Sequence, residues 1–146
     1  MIKKIQKNAK VVVKAIIQNN DNKYLVLKKK DKPDWEFAGG KLEISENLTQ
    51  ALKREVKEET GLDVYVYKMV ACVSDKIDNT SFVCLVFNCY LKDEPNNKIE
   101  VKLSDEHDEY KWAKDFKKYL PEKYHINLNT PIVRDVGFGG FSNERD

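Results

Sequence analysis

The chain has 146 residues, of which 41% are hydrophobic, and its 26 basic and 24 acidic residues leave a net charge of +2. This length suits one domain with a sizeable core. Nucleic-acid-binding surfaces are usually strongly basic, so this balanced charge argues against one. We expect no membrane span, because no run approaches about 18 apolar residues. We expect no signal peptide either, because the basic N-terminus lacks an apolar stretch.

The three cysteines, Cys72, Cys84 and Cys89, are odd in number and form no CxxC pair. This spacing predicts neither a disulfide framework nor a metal or redox site. Cys84 and Cys89 lie in an apolar run, which is typical of buried thiols in a cytosolic protein. We therefore expect a cytoplasmic location.

The first part of the chain predicts two strands and a loop that ends in glycines. Residues 11–17 and 24–27 are rich in β-branched and aromatic side chains, which favour strands. Between them, residues 19–23 carry the Asn and Asp side chains typical of a turn. A loop over residues 31–34 then leads to Gly39 and Gly40.

One long helix is predicted over residues 46–60, with Ser45 as its N-cap and Gly61 as the residue that ends it. At about 100° per residue, a single stripe runs along this helix. The stripe comprises Leu48, Ala51, Leu52, Glu55, Glu59 and Leu62, with Glu58 at its edge. Its first half is apolar and its second half is acidic.

The rest of the chain predicts further strands and little helix. Strands are expected over residues 62–73, 81–91, 99–103 and 109–113. The run over 81–91 is apolar enough to lie at the centre of a sheet, buried on both faces. A short helical turn is expected over 116–120 and a last helix from about residues 129–131, where Pro131 suits a first turn.

Strands around one strongly patterned helix indicate an α/β or α+β fold with a mixed sheet. We expect a single domain over residues 1–136. The glycine-rich residues 137–146 are expected to form a flexible tail.

The helix brings three carboxylates together within one turn: Glu55, Glu58 and Glu59. Such a group repels itself, and burying even one unpaired carboxylate is costly. One interpretation is that the three are solvated and paired with basic side chains, since Arg54 and Glu58 have the i,i+4 spacing of an ion pair. Alternatively they hold hard divalent cations. The Gly39–Gly40 pair favours the second interpretation, because glycines let backbone carbonyls approach closely.

The sequence from Gly40 to Leu62 resembles the Nudix box. Its seven fixed positions are all met, by Gly40, Glu46, Arg54, Glu55, Glu58, Glu59 and Gly61, and its two aliphatic positions by Val56 and Leu62. Many family members have Pro before the paired glycines, where this chain has Ala38. Flanking features extend the resemblance over most of the chain.

The resemblance implies a Nudix hydrolase of the MutT type, which has a mixed sheet sandwiched between helices and cleaves nucleoside diphosphates linked to another group. It implies that Mg²⁺ or Mn²⁺ is held by Gly39, Gly40, Glu55, Glu58 and Glu59. Glu46 and Arg54 would pair and support the loop and the helix.

The general base implied by the resemblance is either a glutamate of the box, here Glu55, or a glutamate on a later loop. The later candidates are Glu106 and Glu109, in the stretch SDEHDEYKW. This stretch is similar to an acidic segment before a Trp in many family members, and a solvated acidic loop is the alternative. We expect His107 and His125 at the surface.

Three residues are candidates for substrate contact. The stretch from Asn129 to Val133 is similar to a MutT-type segment whose Asn contacts an oxidised guanine, although Asn129 could equally begin a helix. Trp35 could stack on a base, as could Tyr65, Tyr67, Phe82 and Tyr90, or these aromatic residues belong to the core. Lys41, next to the paired glycines, is the third candidate.

The leading hypothesis is hydrolysis of a (d)NTP, including an oxidised one, to the monophosphate and pyrophosphate. The alternatives are ADP-ribose, a dinucleoside polyphosphate or an RNA 5′ end. The basic N-terminus and Lys28–Lys29–Lys30 are compatible with an RNA end, whereas the near-neutral net charge argues against it. A non-catalytic nucleotide-binding module is the remaining hypothesis. We expect a small nucleotide as partner, no membrane, and a monomer or homodimer.

Overall fold

The computed structural model describes residues 8–92 and 100–135. Within them the runs rich in β-branched and aromatic residues form eight strands of one mixed sheet, and one α-helix, α1 (Leu48–Thr60), packs on it. The strands are β1 (Asn8–Gln18), β2 (Tyr24–Lys29), β3 (Trp35–Glu36), β4 (Ala38–Lys41), β5 (Val64–Ile77), β6 (Thr80–Leu91), β7 (His107–Ala113) and β8 (Ile132–Asp135). The predicted mixed α+β class is confirmed.

The sheet has the order β3-β2-β1-β6-β5-β8, with β1 and β6 parallel along their whole length. β6 is therefore central, as its apolar sequence predicts. The other edge of β1 is shared by two partners. β2 pairs with it near Gln18, whereas β4 pairs with it over residues 12–15. This sharing places Gly39 and Gly40 opposite Lys14 and Val13, in the middle of β1.

The two faces of the sheet bury separate apolar clusters. On one face, Val13, Ala15 and Ile17 of β1 pack against Ala51 and Leu52 of α1, and all of these side chains are buried. The other face is covered by the segment after β7, which contains two short 3₁₀ turns, Phe116–Lys118 and Glu122–Tyr124. Among the described residues, an α-helix therefore covers only one face.

The start of α1 differs from the prediction. Asn47 is the N-cap, because its side chain accepts a hydrogen bond from the Gln50 N–H while the Gln50 side chain accepts one from the Asn47 N–H. Such a capping box satisfies two otherwise unpaired donors. Ser45 lies in the preceding turn with a φ of 71°. Gly61 ends the helix in a left-handed conformation, as predicted.

Two other predicted elements are wrong. Residues 100–103 form no strand: Val101 and Leu103 pack on the α1 cluster, and the Lys102 N–H bonds to the Thr60 carbonyl at the end of α1. Ile99 lies outside the described residues. The helix expected from residues 129–131 is replaced by β8, whose β-branched Ile132 and Val133 pair in parallel with β5.

The remaining elements agree with the sequence patterns. The turn between β1 and β2 and the strands at residues 64–77, 80–91 and 107–113 are present, and a 3₁₀ turn lies at residues 116–118. Cys84 and Cys89 are buried, as predicted. The predicted tail, residues 137–146, lies outside the described residues. No helix in the described ranges is long and apolar enough to cross a membrane.

Candidate active site

The paired glycines lie where β4 passes between β1 and α1. At position 39, where φ is +149°, a Cβ would lie 2.0 Å from the Val13 carbonyl oxygen. At position 40, a Cβ would lie 2.5 Å from the carboxylate of Glu55. Gly39 therefore permits close packing of two strands, whereas Gly40 leaves room for a carboxylate of α1.

Glu59 projects from α1 into the protein and is only 3% exposed. Its Oε1 accepts a hydrogen bond of 2.6 Å from the Gly39 N–H. Burial raises the pKa of Glu59 to about 8, although the Gly39 hydrogen bond and the charge of Lys14 oppose the shift. The carboxylate is thus fixed in place but lacks enough positive charge around it to ionise easily.

Behind Glu59 lies a chain of three polar side chains, in which His107 is fully buried and Lys14 and Glu36 are half-buried. Nε2 of His107 is 2.7 Å from Glu36 Oε2, and Nζ of Lys14 is 3.0 Å from Glu36 Oε1. Burial opposes ionisation of Glu36, but the hydrogen bond to His107 and the charge of Lys14 outweigh it and lower the pKa of Glu36 to about 2. The carboxylate of Glu36 is therefore ionised at neutral pH.

The prediction that His107 lies at the surface is wrong, because its side chain is fully buried at the start of β7. Its Nδ1 lies 3.7 Å from Glu59 Oε2 and has no hydrogen-bond partner in the part of the chain that the structure describes. His125, expected at the surface too, is half-buried, with Nε2 2.9 Å from the Leu120 carbonyl oxygen.

Glu106 completes a cluster of potential metal ligands beside Glu59. Glu59, Glu106 and His107 each offer one ligand atom, and the three atoms lie within 4.8 Å of one another. Glu106 itself is exposed, on the loop before β7. Glu109, the other late candidate, lies at an exposed position of β7 opposite Lys28 and is not part of this cluster. Of the two, only Glu106 is brought to the buried carboxylate.

Arg54 contacts the two other glutamates of the acidic turn of α1 and also Glu46, which precedes the helix. Its Nε and Nη2 donate to the two oxygens of Glu46 at 3.0 and 2.8 Å, and its Nη2 donates to the Lys41 carbonyl at 3.1 Å. Its Nη1 lies 2.9 Å from Glu55 and 3.3 Å from Glu58. The hydrogen bond with Glu46 raises the pKa of Arg54 above its usual value. One guanidinium thus links the loop after β4 to α1.

The two other glutamates of the acidic turn differ in burial. Glu55 is largely buried, and that burial raises its pKa; Glu58 and Glu106 add to the shift, while Arg54 opposes it. Glu58 is 58% exposed and contacts Arg54. The acidic half of the α1 stripe therefore runs from solvent at Glu58 to the interior at Glu59.

The substrate-contact candidates are spread over the molecule. Asn129 lines a cavity of about 340 Å³ with Tyr67, Tyr90 and several other side chains. The ring of Trp35 packs edge-on against Tyr119 at 5.2 Å and belongs to the cluster opposite α1. Lys41 is exposed and borders a second, smaller cavity near the start of β1.

The sequence did not predict that three buried or half-buried residues lie next to Glu59: Lys14, Glu36 and His107. Lys14 offers a retrospective signal, since it is the one charged residue in the apolar run VVVKAII. A lysine on an inward-facing position requires a buried acidic partner, and Glu36 is that partner.

This chain is similar to proteins of known family and structure. The NUDIX domain model matches residues 8–125. The nucleoside triphosphatase NudI of Escherichia coli O139:H28 is 28% identical over an alignment of 148 positions, gaps included. The alignment covers 90% of this chain and 96% of NudI. The 8-oxo-dGTP diphosphatase of Buchnera aphidicola subsp. Schizaphis graminum is 38% identical over 71 residues, 46% of this chain and 53% of that relative. The chain thus spans about half the length of this second relative.

The similarity extends to solved structures. The MutT protein from Methanosarcina mazei Go1 is 27% identical, with a TM-score of 0.69, and the match covers 84% of this chain and 91% of that one. The family model covers most of the described residues, including the paired glycines and α1. The chain therefore belongs to the NUDIX domain family, as a pyrophosphohydrolase.

Proposed function

We propose that the protein hydrolyses a (d)NTP, including an oxidised one, to the nucleoside monophosphate and pyrophosphate, with Mg²⁺ or Mn²⁺ as cofactor. The observation that carries this proposal is the convergence of Glu55, Glu59 and Glu106 beside the paired glycines. The names of two relatives, an 8-oxo-dGTP diphosphatase and a nucleoside triphosphatase, support the substrate class.

The donor set fits a hard divalent cation. Glu55, Glu58 and Glu59 offer carboxylate oxygens, and the Gly39–Gly40 backbone lies next to two of them. The raised pKa values of Glu55 and Glu59 show that nearby positive charge is insufficient for these carboxylates. When bound, the cation would neutralise phosphate oxygens and make the phosphorus more electrophilic.

The protein side chains position the substrate and move one proton. Arg54, held by both oxygens of Glu46, fixes the direction of Glu55 and Glu58. A carboxylate then removes the proton from the attacking water. Glu55 suits this role because burial raises its pKa above the usual value of a glutamate, and Glu106 is the alternative because it lies beside Glu59.

A substrate panel with Mg²⁺ or Mn²⁺ tests the proposal. It should include 8-oxo-dGTP, dGTP, the ribonucleotides, ADP-ribose, dinucleoside polyphosphates and a 5′-triphosphate RNA. We expect the highest kcat/KM with a (d)NTP and pyrophosphate as the product. Preference for another compound would refute the substrate class. Absence of turnover with any of them, in a folded protein that binds the cation, would indicate a binding module.

Conservative variants test the site itself. Glu58→Gln and Glu59→Gln should each lower kcat by several orders of magnitude without unfolding the protein, because each loses a charged oxygen ligand. Glu122→Gln, an exposed glutamate on a 3₁₀ turn, is the matched control and should retain wild-type kcat. Near-normal kcat for either box variant would contradict the assignment of these carboxylates.

Three assignments of substrate contacts remain proposals: Asn129, Trp35 and Lys41. Asn129→Ala should raise KM for the oxidised nucleotide more than for dGTP, provided that its amide reads the base. An equal change for both nucleotides would remove Asn129 from base recognition.

A further inference from the structure

His107 has a ring nitrogen that its surroundings leave unused. The side chain is fully buried, and Nδ1 has no hydrogen-bond partner among the residues that the structure describes. Buried polar atoms in folded proteins are almost always paired, so an orphaned nitrogen calls for a ligand. Nδ1 faces Glu59 Oε2 at 3.7 Å, which is too long for a hydrogen bond.

The other ring nitrogen determines what Nδ1 can do. Nε2 lies 2.7 Å from a carboxylate oxygen of Glu36, and an ionised carboxylate can only accept a hydrogen bond. Nε2 must therefore carry a proton. In the neutral ring, Nδ1 then presents its lone pair towards Glu59. Turning the ring would break the hydrogen bond to Glu36, and the other oxygen of that carboxylate is held by Lys14.

This arrangement matches the way proteins hold a histidine that binds a metal. Such a histidine usually donates its second N–H to a carboxylate, which fixes the tautomer and the ring orientation. Two ligand atoms, each about 2.1 Å from one ion, lie roughly 3.0–3.6 Å apart. The 3.7 Å between His107 Nδ1 and Glu59 Oε2 is close to that range, and the exposed Glu106 offers a ligand atom within 4.8 Å of one ligand atom of each of these residues.

We propose that His107 Nδ1 is a nitrogen ligand in a cation site shared with Glu59 and Glu106, and that this site takes a transition-metal dication of the Zn²⁺ or Co²⁺ class in preference to Mg²⁺. Imidazole nitrogen suits these ions, whereas Mg²⁺ takes oxygen ligands. The inference rests on the proposed function through Glu59 and Glu106, because both residues also belong to the proposed catalytic site.

The presence of just two histidines makes a direct test simple. Protein labelled with ¹⁵N-histidine gives imidazole signals from His107 and His125 alone, and His125→Asn assigns them. Zn²⁺ is the probe. We expect Zn²⁺ to shift the Nδ1 signal of His107 away from that of a free lone-pair nitrogen, while the Nε2 proton and the signals of His125 remain unchanged. Mg²⁺ at the same occupancy should leave Nδ1 unshifted.

Calorimetric titration of the metal-free protein provides the second measurement. Zn²⁺ affinity should fall at least tenfold in His107→Gln, whose amide can still donate to Glu36, and remain unchanged in His125→Asn. The wild-type spectra decide the matter even where His107→Gln fails to fold.

Either of two spectral results would overturn the proposal. One is an unshifted Nδ1 signal of His107 when Zn²⁺ saturates the protein, and the other is a ring that is protonated on both nitrogens with Zn²⁺ bound. Failure of Zn²⁺ to bind at all would overturn it as well. None of these results would refute the proposed nucleotide hydrolysis, because that activity is measured separately as turnover with Mg²⁺.

Discussion

The paired glycines should respond very differently to the same substitution, although they are adjacent. In Gly40→Ala the new Cβ would lie 2.5 Å from the Glu55 carboxylate, nearly 1 Å inside the 3.4 Å of ordinary contact. The end of a flexible side chain can withdraw by that distance, so we expect unfolding free energy to change by no more than ~1 kcal/mol. A displacement of this size at a reacting group can reduce activity by about 10²-fold.

In Gly39→Ala the obstacle is backbone. The new Cβ would lie 2.0 Å from the Val13 carbonyl oxygen, and the φ of +149° is one that side-chain-bearing residues rarely adopt. Neither strand can yield without breaking the β1–β4 pairing. We therefore expect Gly39→Ala to lose ~3 kcal/mol or more of unfolding free energy.

Both variants can be measured with the same two assays. Urea unfolding in EDTA, followed by tryptophan fluorescence, gives the stability without bound metal. Pyrophosphate release from the best substrate of the panel gives kcat/KM. The reasoning is refuted if folded Gly40→Ala keeps kcat/KM within about threefold of wild type, which is far from the expected loss. Wild-type stability of Gly39→Ala would refute the packing argument.

Three further predictions concern α1 and its carboxylates. In EDTA, unfolding free energy should fall as pH rises from about 5 to 8, by up to ~1.4 kcal/mol per pH unit, because folded Glu59 keeps a proton that the unfolded chain loses. Glu59→Gln should make this slope smaller and leave the contribution of Glu55, whose pKa is also raised, and a flat wild-type profile would contradict the prediction. Arg54→Lys should lower unfolding free energy by ~1–2 kcal/mol and kcat by about 10²-fold. The reason is that a lysine cannot make two parallel hydrogen bonds to Glu46 while it also contacts Glu55, and an unchanged kcat would contradict this prediction. Asn47→Ala should cost ~1 kcal/mol in urea unfolding with kcat retained, since the cap is at the far end of α1 from Glu59, and a large loss of kcat would contradict it.

The sequence predicted the parts of the site that depend on helical spacing. A period of about 3.6 residues is enough to place Leu48 and Ala51 on the same stripe as Glu55 and Glu59, and the structure buries Glu59 as that stripe requires. The same helix explains why position 40 is a glycine, because the Glu55 carboxylate occupies the space that a Cβ at position 40 would need.

The parts that depend on distant pairing could not be predicted. Lys14, Glu36 and His107 come from β1, β3 and β7, and only the sheet order brings them together. Periodicity within a segment carries no information about such contacts, so His107 in a polar stretch indicated a surface residue. The strand β8 was missed for a similar reason. Asn129 and Pro131 suit a helix start, yet parallel pairing with β5 outweighs this local preference.

The two basic side chains of the site explain why its acidic residues still need a cation. Lys14 is engaged by Glu36 and the Phe37 carbonyl, and Arg54 by both oxygens of Glu46. What remains of their charge does not restore ordinary pKa values to Glu55 and Glu59, both of which are raised. A polyphosphate approaching this acidic turn without a cation would be repelled by the carboxylates of Glu55, Glu58 and Glu59. If the protein hydrolyses a nucleotide as proposed, metal binding and substrate binding must therefore be coupled. Metal binding should also release the proton of Glu59.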